Sequence, residues 1–176
     1  RSTVTILKDA QIGTTVVAGV DGSFATSLSN LSAGNYIFSV YSEDKYGHRS
    51  SLVSFPTSIS SDATTNIFGI FIAPTVAVDK VEVRRGDDLS IFGQSAPQAD
   101  IVITVNSEEE YFAKTVSDKD GIYLYNFDTA PLEYGSHNTK SKAAIGNQLI
   151  SGYGLAANFR VGTQNILAAL EKRQCN

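Results

Sequence analysis

The feature that most restricts what this chain can fold into is an internal repeat with a spacing of about one hundred residues. A turn followed by an aromatic residue, Asp21-Gly22-Ser23-Phe24, returns 99 positions later as Asp120-Gly121-Ile122-Tyr123. A second landmark, Leu31-Ser32-Ala33-Gly34-Asn35-Tyr36, returns 101 positions later as Leu132-Glu133-Tyr134-Gly135-Ser136-His137. Two copies of one plan, with their features in the same order, require one local architecture built twice.

The landmarks identify that architecture as β. Asp-Gly between alternating apolar runs is a hairpin signal, because glycine takes positive φ at little cost and Asp bonds its own backbone. Period-two alternation with β-branched and aromatic residues predicts strands near 2–8, 13–18, 23–29, 35–42, 50–57 and 65–72. In the second copy it predicts them near 75–83, 88–93, 100–106, 110–117, 122–128, 136–143 and 154–161. Short strands at this spacing, separated by Gly, Pro, Asn and Asp, are the pattern of sandwiches rather than of βαβ units. Gln164 to Lys172 is the one helical stretch expected, with Ile166, Leu167 and Leu170 at helical spacing.

The copies differ at the front. Val76 to Gly93 supplies two strands ahead of the shared alternating strand, whereas copy one begins directly with that strand at Ser2. Copy one therefore reads as lacking its opening strands. Residues upstream of Arg1 are the simpler source for them, and donation from a neighbouring chain, as in a filament or pilus-like subunit, is the alternative. Between the copies, Ile70 to Thr75 runs from one strand into the next through Pro74 alone. Proline fixes its own φ and holds Ala73 extended, so the joint is expected to be stiff.

The strand and turn order resembles bacterial immunoglobulin-like modules repeated in large secreted or cell-surface proteins. Gly34-Asn35-Tyr36 through Tyr41-Ser42-Glu43-Asp44 and Gly47 is similar to their G-x-Y-x-F-x-V-x-A-x-D-x-x-G signature. Gly93-Gln94-Ser95-Ala96-Pro97 through Ile103 is similar to their G-x-A-x-P-x-A-x-V-x-I. Copy two departs from it where His137 and Thr139 stand in place of Tyr36 and Phe38. The resemblance implies an all-β fold of two tandem immunoglobulin-like antiparallel β-sandwich domains with a short C-terminal helix. Domain one spans 1–73 and lacks its first strands, domain two spans 74–162, and 163–176 is the helical tail. It also implies a non-catalytic structural or adhesion role, a rigid spacer in a secreted or surface-anchored bacterial protein, of the kind found beside dockerin-like anchoring segments. The tail itself carries no dockerin calcium loop. The expected partners are other modules of the same protein or neighbouring chains. A carbohydrate-binding accessory module is a further alternative.

Composition narrows the remaining classes. The net charge is −4 and the 14 basic residues are scattered, which argues against a nucleic-acid surface. No run of 18 apolar residues occurs, so no helix in the sequence would span a bilayer, and no stretch reads as a signal peptide. A chain that begins at Arg1 and contains no Met reads as a fragment or processed product. The single cysteine, Cys175, cannot staple either copy internally and reads as a free thiol or a link to another segment.

Candidate chemistry is sparse, and no catalytic, cofactor-binding or metal-binding residue is assigned. His48 and His137 are the only histidines; both read as solvated surface residues without ligand partners at metal spacing. Asp118 and Asp120 form a fragment of a calcium loop whose later ligands are missing. Glu108 with Asp120 would serve as a glycosidase pair only if a sugar cleft lay between them. Tyr41, Tyr46, Tyr123, Tyr125, Tyr134 and Tyr153 are candidates for a binding face. In the strand 122–128, Tyr123, Tyr125 and Phe127 share one face and Ile122 and Leu124 the other. Both faces are apolar, so burial on both sides is expected, with an outward face covered by a neighbour or ligand as the alternative.

Overall fold

The structure, a computed structural model, describes residues 1–169. Its strands are β1 (Thr3–Lys8), β2 (Gln11–Val17), β3 (Gly34–Glu43), β4 (Val53–Ile59), β5 (Ala77–Val78), β6 (Lys80–Arg84) and β7 (Asp88–Gln94). They continue as β8 (Asp100–Asn106), β9 (Glu110–Val116), β10 (Ile122–Asp128), β11 (Gly135–Ile145), β12 (Leu149–Ile150), β13 (Ala157–Gly162) and β14 (Ile166–Leu167). Among the described residues the protein is all-β, without a helix.

Three sheets result. The first half forms one antiparallel sheet in the order β2-β1-β3-β4. The second half forms the three-stranded antiparallel sheet β10-β7-β5 and a larger sheet in the order β14-β6-β13-β11-β8-β9, with β12 paired to β11. The larger sheet is antiparallel except for β13 against β6. The chain passes between the second half's two sheets at Asp79. Its main-chain N–H donates to the Ser90 carbonyl at 3.1 Å, and its carboxylate accepts the Ser90 N–H at 2.9 Å, so that β5 lies in one sheet and β6 in the other.

The two sheets of the second half share one core. Leu89, Ile91, Tyr123 and Phe127 from the smaller sheet meet Ile101, Ile103, Val105, Phe159 and Val161 from the larger, all buried. A separate core in the first half gathers Val4, Ile6, Phe38 and Val40 from a single sheet.

The repeat extends to individual hydrogen bonds. The Ala18 N–H donates to the Ser2 carbonyl as the Ser117 N–H does to the Ala99 carbonyl, both at 3.0 Å. The hydroxyl of Ser50 accepts the Ser42 N–H at 3.0 Å, and that of Ser151 accepts the Ala143 N–H at 2.9 Å. Each serine hydroxyl then donates to the next carbonyl, Ser51 or Gly152. In both copies a serine hydroxyl thus pairs with an N–H of the long central strand that would otherwise lack this partner. Ser151→Ala is expected to cost about 1–3 kcal/mol, the penalty for orphaning a buried donor, read as a shift in the urea midpoint followed by far-ultraviolet circular dichroism.

The structure corrects several sequence expectations. The stretch 164–169 is not helical: Ile166 and Leu167 pair antiparallel with β6. Helical spacing loses there to edge pairing. Asn165 accepts the Arg84 N–H at 2.9 Å and donates to Asp87 at 2.7 Å, and the Ala168 N–H donates to the Asp79 carbonyl at 2.8 Å. The Asn165 amide and, next, the Arg84 guanidinium, which donates to the Asp87 carboxylate at 3.1 Å, hold the Asp87 carboxyl below its usual range. Residues 170–172 of the expected helix, and Cys175, lie outside the described residues. The stretches 23–29 and 65–72 are not strands either, although both carry the apolar pattern, because no neighbouring strand pairs with them among the described residues. A ladder needs two sides.

Candidate functional site

Two places in the fold have more organisation than a spacer loop or a plain sheet requires. The first is the seat of the linker. Ala73 is buried, and Thr75 is clamped onto the end of β7: its N–H donates to the Gln94 carbonyl at 3.0 Å and its hydroxyl accepts the Gln94 N–H at 2.9 Å. From the other side the Tyr123 hydroxyl donates to the Thr75 carbonyl at 2.6 Å, with the Ser141 hydroxyl 2.9 Å away. Burial pushes the Tyr123 phenol up, so it remains a protonated donor throughout the ordinary pH range.

Glycines make this seat possible. A Cβ on Gly93 would overlap the Thr75 carbonyl, and one on Gly154 would overlap the Pro74 carbonyl. A β7 position and a position just ahead of β13, both without side chains, let the linker backbone lie directly on the second half.

The second place is the inner face of the β2-β1-β3-β4 sheet. Phe24, Leu28 and Leu31 from the loop after β2, together with Ile70 and Ile72 before the linker, pack on it without forming a sheet. An open cleft of about 1270 Å³ remains between them and the strands, with Val4, Ile6, Phe38, Val40 and Phe55 among the residues that line it.

The residues singled out in the sequence do not converge. Asp118 uses one carboxylate oxygen to brace its own turn, accepting the N–H groups of Asp120 at 2.8 Å and Ile122 at 2.9 Å. In copy one Gly19 stands at the matching position, and the turn is braced instead by Asp21, whose carboxylate accepts the hydroxyl and the N–H of Ser23 and is held below its usual range by them. Among the described residues, no three His, Cys, Asp or Glu side chains gather as a metal site would require. Glu108 is exposed at one end of β9 and Asp120 lies beyond the other. A strand of that length separates them by about 20 Å, too far for a glycosidase pair.

His48 is exposed beside Asp44, 3.0 Å from its carboxylate. His137 is not a surface residue. It is buried, lies against Phe159 with ring centroids 5.6 Å apart, and its Nε2 is 2.8 Å from the Glu133 carbonyl. The Tyr36 hydroxyl makes the same bond in copy one, donating to the Ser32 carbonyl at 2.8 Å. The signal that locates His137 is therefore its place in the repeat rather than its residue type.

The tyrosines stand on different elements. Tyr123 is a core residue, whereas Tyr41, Tyr46, Tyr134 and Tyr153 each carry a Lys or Arg over the ring, leaving one face already covered. On β10, Tyr123 and Phe127 are buried, while Ile122 and Leu124 are 53% and 56% exposed beside Phe92 on β7. The outer face of that strand is open rather than buried.

Among the described residues, no helix is long and apolar enough to cross a membrane. No family profile matches the sequence and no curated protein matches it. Among solved structures, the chain is similar to a tetra-tandem repeat in the extending region of a large adhesion protein, with 22% identity over 93% of this chain and a TM-score of 0.45. It is also similar to a Ca2+-stabilized adhesin that helps an Antarctic bacterium reach out and bind ice, with 13% identity over 91% of this chain and a TM-score of 0.34. The chain spans 42% and 39% of the length of those two proteins.

Proposed function

We propose that this chain is a non-catalytic structural or adhesion segment, two tandem immunoglobulin-like modules, 1–73 and 74–162, that act as a rigid spacer in a secreted or surface-anchored bacterial protein. Its partners are other modules of the same protein or neighbouring chains. The observation that carries the reading is the linker seat. A repeat joined by a free hinge would not hold its neighbours at a set angle, whereas Thr75 is fixed by four polar contacts to β7 and β10, and the Pro74 and Thr75 carbonyls lie against the side-chain-free positions Gly154 and Gly93. Proline adds its own stiffness.

The test is a distance distribution between spin labels at Ser27→Cys and Glu108→Cys, in a chain carrying Cys175→Ser. A spacer gives one narrow peak. Gly154→Ala, whose methyl would press on the Pro74 carbonyl, is expected to broaden it. A broad distribution in the otherwise unaltered chain would overturn the rigid-spacer reading.

A further inference from the structure

The inner face of the first sheet is covered by loop segments that leave a cleft and not by a second sheet, and the second copy supplies the template for what would fill that cleft. In the second half, β10 is paired along its whole length with β7, from Ile122 opposite Gln94 to Asp128 opposite Asp88. That pairing delivers Leu89 and Ile91, both fully buried, onto the larger sheet. In the first half the segment matching β10 is 23–29, and it pairs with nothing among the described residues. Phe24 and Leu28 match Tyr123 and Phe127 by the 99-residue spacing. They are half-buried, as is Phe55 on β4, whereas Tyr123 and Phe127 are buried. The cleft of about 1270 Å³ is lined by Val4, Ile6, Phe24, Leu28, Phe38 and Phe55, the apolar side chains that a β7-like strand would meet.

We propose that this face receives a two-strand segment of the same chemistry as Thr75–Gln94, carried by the same polypeptide and entering beside Ser2, with its second strand antiparallel to 23–29. The pair of matched hydrogen bonds that sets Ser2 in the place of Ala99 fixes the route of entry. In the second half, Ala99 follows the end of β7 by five residues, so the covering strand would reach its ladder through an equally short connection. Arg1 and Ser2 already line the cleft. The register is also set. Gly93 faces Tyr123 across the β7–β10 pair, so a small residue belongs opposite Phe24, with branched apolar residues two and four positions before it, as Ile91 and Leu89 precede Gly93. A strand of this kind buries apolar surface on both partners and gives the backbone of 24–29 a ladder. The inference goes beyond the spacer reading, since a rigid joint and a filled first module are independent properties.

Hydrogen exchange of the full chain tests it. In the unaltered chain, amides of 24–28 are expected to exchange much faster than those of 122–128. Equal protection would overturn the proposal at once. A second chain carries a copy of its own Thr75–Pro97 joined ahead of Arg1. Its 24–28 amides are expected to slow by about tenfold or more, with 101–105 unchanged as an internal control. The same extension with both positions matching Leu89 and Ile91 changed to Asp is expected to give no protection. Failure of the unmodified extension to protect 24–28, or equal protection by the Asp version, overturns the proposal. A free peptide of the same sequence is expected to protect far less than the fused copy. Protection by the free peptide at micromolar concentration to the level of the fusion would overturn the same-chain source in favour of donation from a second chain.

Discussion

Gly93→Ala is expected to be the most damaging single-methyl substitution in the second half, costing roughly 3–5 kcal/mol. Gly93 lies on β7 opposite Tyr123, and its missing side chain is the space into which the Thr75 carbonyl projects. A methyl there would overlap that carbonyl and come within 2.8 Å of the Tyr123 hydroxyl. The neighbours have little freedom to yield. Thr75 is hydrogen-bonded to Gln94 on one side and to Tyr123 on the other, and Tyr123 is held in the core. Relief would require lifting the linker, which leaves the Tyr123 hydroxyl and the Thr75 carbonyl short of partners in a buried place. Urea unfolding of the variant followed by circular dichroism is the direct check. A midpoint unchanged from the parent chain would show that the linker does not rest on β7.

Ile91→Ala should come close behind, at about 2–5 kcal/mol, for a different reason. Ile91 is fully buried in the core between the two sheets. Sheets fixed by their own ladders collapse poorly around a void, so both the lost transfer energy and the cavity contribute. Phe24→Ala in the first half removes more atoms yet is expected to cost about 1 kcal/mol, because its ring is only half-buried against an open cleft. The comparison, made in one chain by thermal and urea unfolding, separates the filled core from the open one. Equal losses at the two positions would contradict the unequal burial.

The repeat also explains a departure that looks unfavourable in isolation. Phe38 and Val40 of β3 correspond to Thr139 and Ser141 of β11, a change from large apolar to small polar side chains on an inward face. In the second half that face is met by a second sheet, and Ser141 lies 2.9 Å from the Tyr123 hydroxyl. Small residues fit because Leu89, Ile91 and Tyr123 already fill the layer. In the first half, Phe38 and Val40 are buried and line the cleft that remains over their sheet.

Local chemistry decided a definite share of this protein. Alternation and the Asp-Gly turns placed β1, β3, β7, β8, β9 and β10 to within about two residues, since both signals depend only on neighbours along the chain. The spacing of the copies likewise matched His137 to Tyr36 before either had a visible role. What the sequence left open was everything that depends on a partner remote in the chain. The 23–29 stretch has the alternation of a strand and no ladder, because its pairing strand must come from elsewhere. Ile166 and Leu167 have helical spacing and lie in a sheet, because the edge of β6 offers them a ladder and the carboxylate of Asp87 holds Asn165 just ahead of them, where an isolated short helix would be marginal. His137 has a polar ring and is buried, because the Glu133 carbonyl and Phe159 surround it. Pattern along the chain fixes which residues prefer to be extended and which face they would bury; hydrogen-bond partners and covering layers come from tens of residues away, and only the folded structure brings them into contact.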